Sequence, residues 1–180
     1  MFRFALFAAL TLSIACSWES RVRRLGDAEF DRYYALKPFM KDEERKAYLT
    51  LKTEEERDAW LKANGCREVL GAKECYWERF FKYDEKQRQA IVEGDVAVGW
   101  TREMVFMSWG APFDRRAVAG RPAQLSEMFI YKFEKHEDGS VLVYVPGSKT
   151  EYKAVDRFRR EVILDDDVVA SIKQKAGWAN

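Results

Sequence analysis

The sequence predicts an α+β chain. An N-terminal helical segment is followed by a short helix packed on a small antiparallel sheet of three to four strands. Three observations predict it. Helix capping signals and helical apolar spacings recur from Asp27 to Glu93. A heavily apolar stretch with a marked start and stop runs from Gly99 to Pro112. From Ser126 onward the apolar period changes to two. The 180 residues suit one domain plus small additions, and 47% hydrophobic with 14% aromatic content argues against disorder. Lys and Arg number 31 against 30 acids, mixed along the chain. That balance removes any global electrostatic case for nucleic acid or for a membrane surface.

The first fifteen residues read as a leader. Met1-Phe2-Arg3 is a short positive start, and Phe4 to Ile14 is an apolar run too short to span a bilayer. It ends at Ser13-Ile14-Ala15-Cys16, which resembles a bacterial lipobox, with Cys16 as the residue to be acylated. An ordinary cleaved signal peptide and an uncleaved anchor are the alternatives. Ser17, rather than Asp, follows the cysteine, which favours the outer membrane over the inner one. Cleavage before Cys16 would remove Arg3 and leave 30 charges of each sign. Residues 16–26 then form a tether carrying Arg21, Arg23 and Arg24.

Residues 27–93 are expected to be helical. Phe30, Tyr33 and Tyr34 form an apolar stripe, and Pro38 interrupts it. Asp42 starts a second helix with Ala47, Tyr48 and Leu51 inward. Thr53 and Glu56 make a capping box for a third, which carries Ala59, Trp60 and Leu61 and stops at Asn64-Gly65. Tyr76, Phe80 and Tyr83 share one face of a fourth, and Asp84 with Gln87 re-caps a last one through Val92. These aromatics are read as core, with a ligand-binding cluster as the alternative.

Thr101 is the expected N-cap of the central helix, with Gly110 and Pro112 closing it. So short a helix needs a surface to pack on. The spacing predicts burial of Val105 and Trp109 on the sheet. Phe113 to Gln124 reads as a loop holding Arg115, Arg116 and Arg121. Phe129, Tyr131 and Phe133 alternate in a strand. Asp138-Gly139 makes a hairpin turn into Val141, Val143 and Val145. Val162 to Leu164 and Val168 to Ile172 flank three aspartates and are read as a second hairpin, the alternative being a helix after the aspartates. One tight turn offers too few oxygens for calcium.

Cys66 and Cys75 bracket a loop containing Gly71, so a local disulfide is expected in an oxidising compartment. Two buried thiols or a redox pair are the other readings. The spacing is not Cys-x-x-Cys. His136 is the one histidine and falls beside a predicted turn, where exposure is expected. No cofactor or metal is expected.

Two resemblances add to this reading. The run from Lys41 to Gly65, with Thr53-Glu54-Glu55-Glu56 capping a helix, resembles the helical opening of GWxTD-domain proteins. The order of lipobox, helices, Gly99-Trp100-Thr101 helix, aromatic strand Phe129-Ile130-Tyr131 and terminal hairpin Val162 to Ile172 resembles the SmpA/OmlA (BamE-like) family of outer-membrane lipoproteins. Ile91 and Gly94 stand where that family's signature begins, and Val105, Gly110 and Pro112 stand near its valine, glycine and proline. The second resemblance covers residues 91–172. It implies an α+β adaptor rather than an enzyme in residues 94–180, compact with the helices, and no cofactor.

The expected function is that of a lipoprotein held in the outer membrane by its N-terminal lipid. It would bind or scaffold another envelope protein through Arg115, Arg116 and Arg121, and would bind no nucleic acid. A soluble periplasmic or secreted ligand binder is the alternative, and a periplasmic hydrolase the least favoured. No Gly-x-Ser-x-Gly elbow, phosphate-cradling glycine loop or histidine metal spacing occurs.

Overall fold

The computed structural model describes residues 18–69, 71–146 and 154–178. The leader, Cys16 and the Gly147-Ser148 strand end lie outside the described residues. Seven α-helices and seven strands are found among the described residues.

The helical layer comprises α1 (Trp18–Val22), α2 (Asp27–Leu36), α3 (Asp42–Thr50), α4 (Glu54–Ala63), α5 (Tyr76–Phe81) and α6 (Glu85–Glu93). A 3-10 turn at Lys37–Phe39 follows α2, where Pro38 can no longer continue the α-helix. The N-caps of α4 and α6 are those the sequence predicts. Glu56 N–H donates to Thr53 Oγ1 at 3.2 Å, and Gln87 N–H donates to Asp84 Oδ1 at 2.8 Å. Gly65 has φ +63°, and a Cβ there would lie 2.1 Å from the Tyr76 ring. Only glycine fits both the left-handed backbone and the ring above it. The described part of the expected tether is not a free linker: α1 packs near α3, and Val22 and Leu25 lie against the helical core.

Two inward faces differ from expectation. On α2, Phe30 and Tyr34 are 39% and 45% exposed, while Glu29, Arg32, Tyr33 and Leu36 are buried. The face is rotated because its polar members have buried partners. Arg57 donates to both Glu29 oxygens at 2.5 and 2.8 Å, and Arg32 donates to Asp58 at 2.6 Å. On α3, Tyr48 and Leu49 are buried, whereas Ala47 is exposed and Leu51 half-buried. The chain leaves the helix at Leu51, its C-cap, so that residue no longer follows the helical face.

β1 (Arg67–Val69) and β2 (Ala72–Glu74) form a small hairpin between α4 and α5. The main sheet is antiparallel with five strands, one more than the expected range. These are β3 (Asp114–Ala117), β4 (Ser126–His136), β5 (Val141–Val143), β6 (Ala154–Asp165) and β7 (Val168–Ala176), in the order β3-β4-β6-β7 with β5 also on β4. β3 occupies part of the expected arginine loop. β3 and β5 share one edge of β4 end to end, with Asp114 opposite Ile130 and Val143 opposite Phe133. The expected β4–β5 hairpin is short, and β6 is the long partner of β4. The second hairpin is a hairpin: Val168 to Ile172 is strand, and Asp166 and Asp167 make its turn at φ 46° and 69°.

α7 (Arg102–Trp109) runs between the layers. Thr101 caps it, accepting from Met104 N–H at 3.3 Å. Met104 and Met107 enter the helical core with Tyr33, Leu36, Tyr48 and Leu61. Val105 and Trp109, 0% and 6% exposed, enter the sheet core with Phe129, Tyr131, Phe133 and Val162. The helix therefore lies on the sheet as its spacing predicts, and it also carries the helical layer on its other side.

Candidate functional site

Each residue singled out from the sequence has a definite place, apart from Cys16. Cys66 and Cys75 are joined by a disulfide that closes the base of the β1–β2 hairpin. The same hairpin is tied to the start of α7: Arg67 and Lys82 each bridge Glu74 and Glu103. Burial alone would raise the Glu74 carboxyl, but Lys82 and Arg67 hold it below the ordinary carboxylate range.

The three arginines expected to meet a partner already have intramolecular ones. Arg115, on β3, donates to Glu127 at 2.8 Å and stacks 5.2 Å from the Phe129 ring centroid. Glu127 also takes Arg102 from α7. Arg116 pairs with Asp114 at 2.9 Å. Arg121 grips Asp165 with two nitrogens at 2.7 and 2.5 Å, and Ser126 donates to the same carboxylate. Those hydrogen bonds hold Asp165 at a pKa of about 2. The aspartate turn is thus divided among protein groups. Asp166 accepts from Leu125 N–H, and Asp167 pairs with Arg102. Among the described residues no group of three or more His, Cys, Asp or Glu is arranged to hold a metal.

His136 departs from expectation: it is 1% exposed. The turn folds back over it, with His136 N–H donating to Ser140 O and Gly139 N–H to His136 O.

A cleft of about 800 Å³ opens between α2, the ends of α6 and α7, and the β4–β5 edge. Its apolar wall includes Met107, Trp109, Phe133 and Val143. Trp109 is fixed there, donating from Nε1 to Gly94 O at 3.0 Å and meeting Tyr131 and Phe133 edge-on. Gly94, at φ 83°, makes the left-handed end of α6 that supplies this carbonyl.

Lys37, Arg45 and Arg160 line the cleft, and Arg160 stands among the apolar residues of the sheet wall. Phe158, Arg160, Val162 and Leu164 alternate along the inward row of β6, and Arg160 is its polar member. Its guanidinium lies 5.0 to 5.5 Å from the ring centroids of Phe133, Trp109 and Phe158. Nε donates to Gln174 at 3.3 Å. Burial lowers its pKa, and Asp95 opposes that shift. Periodicity reasoning passed over Arg160; an arginine in phase with an inward aromatic–aliphatic row was the available signal.

The two sheet edges are unlike. Beside β7, the segment before α7 covers the start of the strand: Gly99 N–H donates to Val169 O and Val169 N–H to Trp100 O, both at 2.8 Å. Beyond it stand Lys173 and Lys175, which discourage edge pairing. Among the described residues β5 has neither device. Tyr144 N–H donates to Lys132 O, so the register turns the Val141 and Val143 backbone groups away from β4. Val141 and Leu142 are 45% and 48% exposed, and both border the cleft.

The chain matches no family model, no curated protein and no solved structure with which it was compared. Among the described residues no helix is long and apolar enough to cross a membrane.

Proposed function

We propose that this protein is an envelope lipoprotein, anchored in the outer membrane through Cys16, that works as a non-enzymatic binding adaptor. Its partner is another envelope protein, which lays an extended segment along β5 and places alternate apolar side chains in the cleft. The observation that carries this reading is the contrast between the two sheet edges. One is covered and lysine-lined; the other presents valines, outward backbone groups and an apolar wall. Strand addition uses such an edge for affinity and the adjoining pocket for specificity. The cysteines support the compartment. A disulfide takes Cys66 and Cys75, consistent with an oxidising environment, and leaves Cys16 single at the end of the apolar leader.

Mass spectrometry of the mature N-terminus tests the anchor, with an acylated Cys16 expected; an unmodified chain removes it. Pull-down from detergent-solubilised envelope tests the adaptor. Val143→Pro deletes an outward donor without touching a β4–β5 bond, so the variant should fold and lose the partner. Equal capture by Val143→Pro and wild type would refute strand addition, and no reproducible partner would refute the adaptor reading.

A further inference from the structure

A second groove, of about 760 Å³, lies between α1, α2 and α3 and adjoins the cleft along Tyr34, Lys37 and Arg45, which line both. We infer that this groove seats the phosphate headgroup of an anionic lipid and lays the helical layer against the bilayer surface. The inference takes its membrane from the anchored reading above, but the groove's chemistry stands independently.

The groove is cationic. Arg23, Lys37, Arg45 and Lys46 line it, against one acid, Asp42. Asp42 is paired with Arg45. Lys37 has no carboxylate within ion-pair distance among the described residues. Its ammonium sits 5.0 Å from the Tyr34 ring centroid. Burial lowers its pKa, and the like charge of Arg45 lowers it further. A partly desolvated cation beside another cation is relieved by an incoming anion, and a phosphate supplies one.

The groove also carries two half-exposed aromatic rings. Phe30 and Tyr34 pack with ring centroids 4.5 Å apart, both exposed beside the cations. An apolar body flanked by cations suits the headgroup level of a membrane, where rings sit among acyl–headgroup boundaries and lysines reach phosphates. A free phosphate would use the cations and leave the rings idle.

Position completes the case. Val22 and Arg23, at the end of α1, form one wall of the groove, and α1 begins at Trp18. Only Ser17 separates Trp18 from Cys16, and the two peptide steps between them span at most about 7 Å. Because α1 is docked rather than loose, an acyl chain on Cys16 would hold this end of the domain near the bilayer. The groove lies outside residues 91–172.

The test uses the chain without its first sixteen residues, which retains every described residue, so acylation plays no part. It is co-sedimented with vesicles of phosphatidylcholine alone and of phosphatidylcholine mixed with phosphatidylglycerol. Binding to the mixed vesicles is expected, weakening as salt rises. The triple variant Arg23→Gln, Lys37→Gln, Lys46→Gln should lose roughly 100-fold in affinity. The control Lys135→Gln, Lys173→Gln on the sheet should stay within about twofold of wild type, since neither charge faces the groove. Phe30→Ala with Tyr34→Ala should also weaken binding to the mixed vesicles. Equal binding to neutral vesicles, equal losses in the triple variant and the control, or binding of inorganic phosphate without vesicles would each overturn the inference. An unacylated native N-terminus would refute the anchor and leave this result standing.

Discussion

The helical layer and the sheet place their buried charges on different faces. In the helical layer, charges go inside. Glu29 and Arg57 form a two-nitrogen pair with both side chains at least nine-tenths buried, and Arg32 lies beside it on Asp58. In the sheet, the inward rows are aromatic and aliphatic, and the buried charges Glu134, Arg159 and Glu161 stand on the other face, where Arg157 pairs with Glu134 and both Arg159 and Lys175 pair with Glu161. Arg160 is the exception, and it lines the cleft. A core whose inward face is partly ionic resists substitution of one member, because the other is left charged and dry. A core of stacked rings resists loss of volume instead.

The largest effect should come from the ring core. Trp109→Ala removes a 6%-exposed indole, its bond to Gly94 and its contacts with Tyr131 and Phe133. A loss near the top of roughly 3–5 kcal/mol is expected by urea unfolding; under about 1 kcal/mol would place Trp109 on a surface rather than in the core. Arg57→Met strands Glu29 and should cost about 3–5 kcal/mol. The double variant Glu29→Met, Arg57→Met should recover much of that, and a double variant as unstable as the single one would show that the ionic contrast is unreal. Replacing Cys66 and Cys75 with alanine frees a nine-residue separation and should cost roughly 2–3 kcal/mol. Matching oxidised and reduced melting temperatures would rule that out.

The smallest effect is a matter of pH. Asp165, held at about 2 by Arg121 and Ser126, stabilises the fold fully above the ordinary carboxyl range near 4. That contribution fades as pH falls from about 4 toward 2, since the unfolded chain takes up the proton first. Thermal melts of wild type between pH 5 and pH 2 should fall more steeply than those of Arg121→Gln. Parallel curves would contradict the pairing.

The same contrast explains what could be read in advance. Caps at Thr53, Asp84 and Thr101 were legible because a cap needs two residues at fixed spacing. The inward rows of β4 and β7 were legible because their inner face is apolar. The α2 face was not, because Glu29 and Arg32 are inward and Phe30 is outward, which inverts the usual pattern. β3 was missed because three of its four residues are charged, and its place depends on pairing with β4 far along the chain. The β5 edge and the cationic groove at α2 were equally hidden, since each needs elements that only the fold brings together.

α7 has one further consequence. Its methionines belong to one core and its valine and tryptophan to the other, so neither half can open without exposing part of this helix. The two layers should therefore melt in one cooperative transition. Backbone amides of α7 should exchange with solvent deuterium only through global unfolding, while those of the β1–β2 hairpin exchange through local fraying.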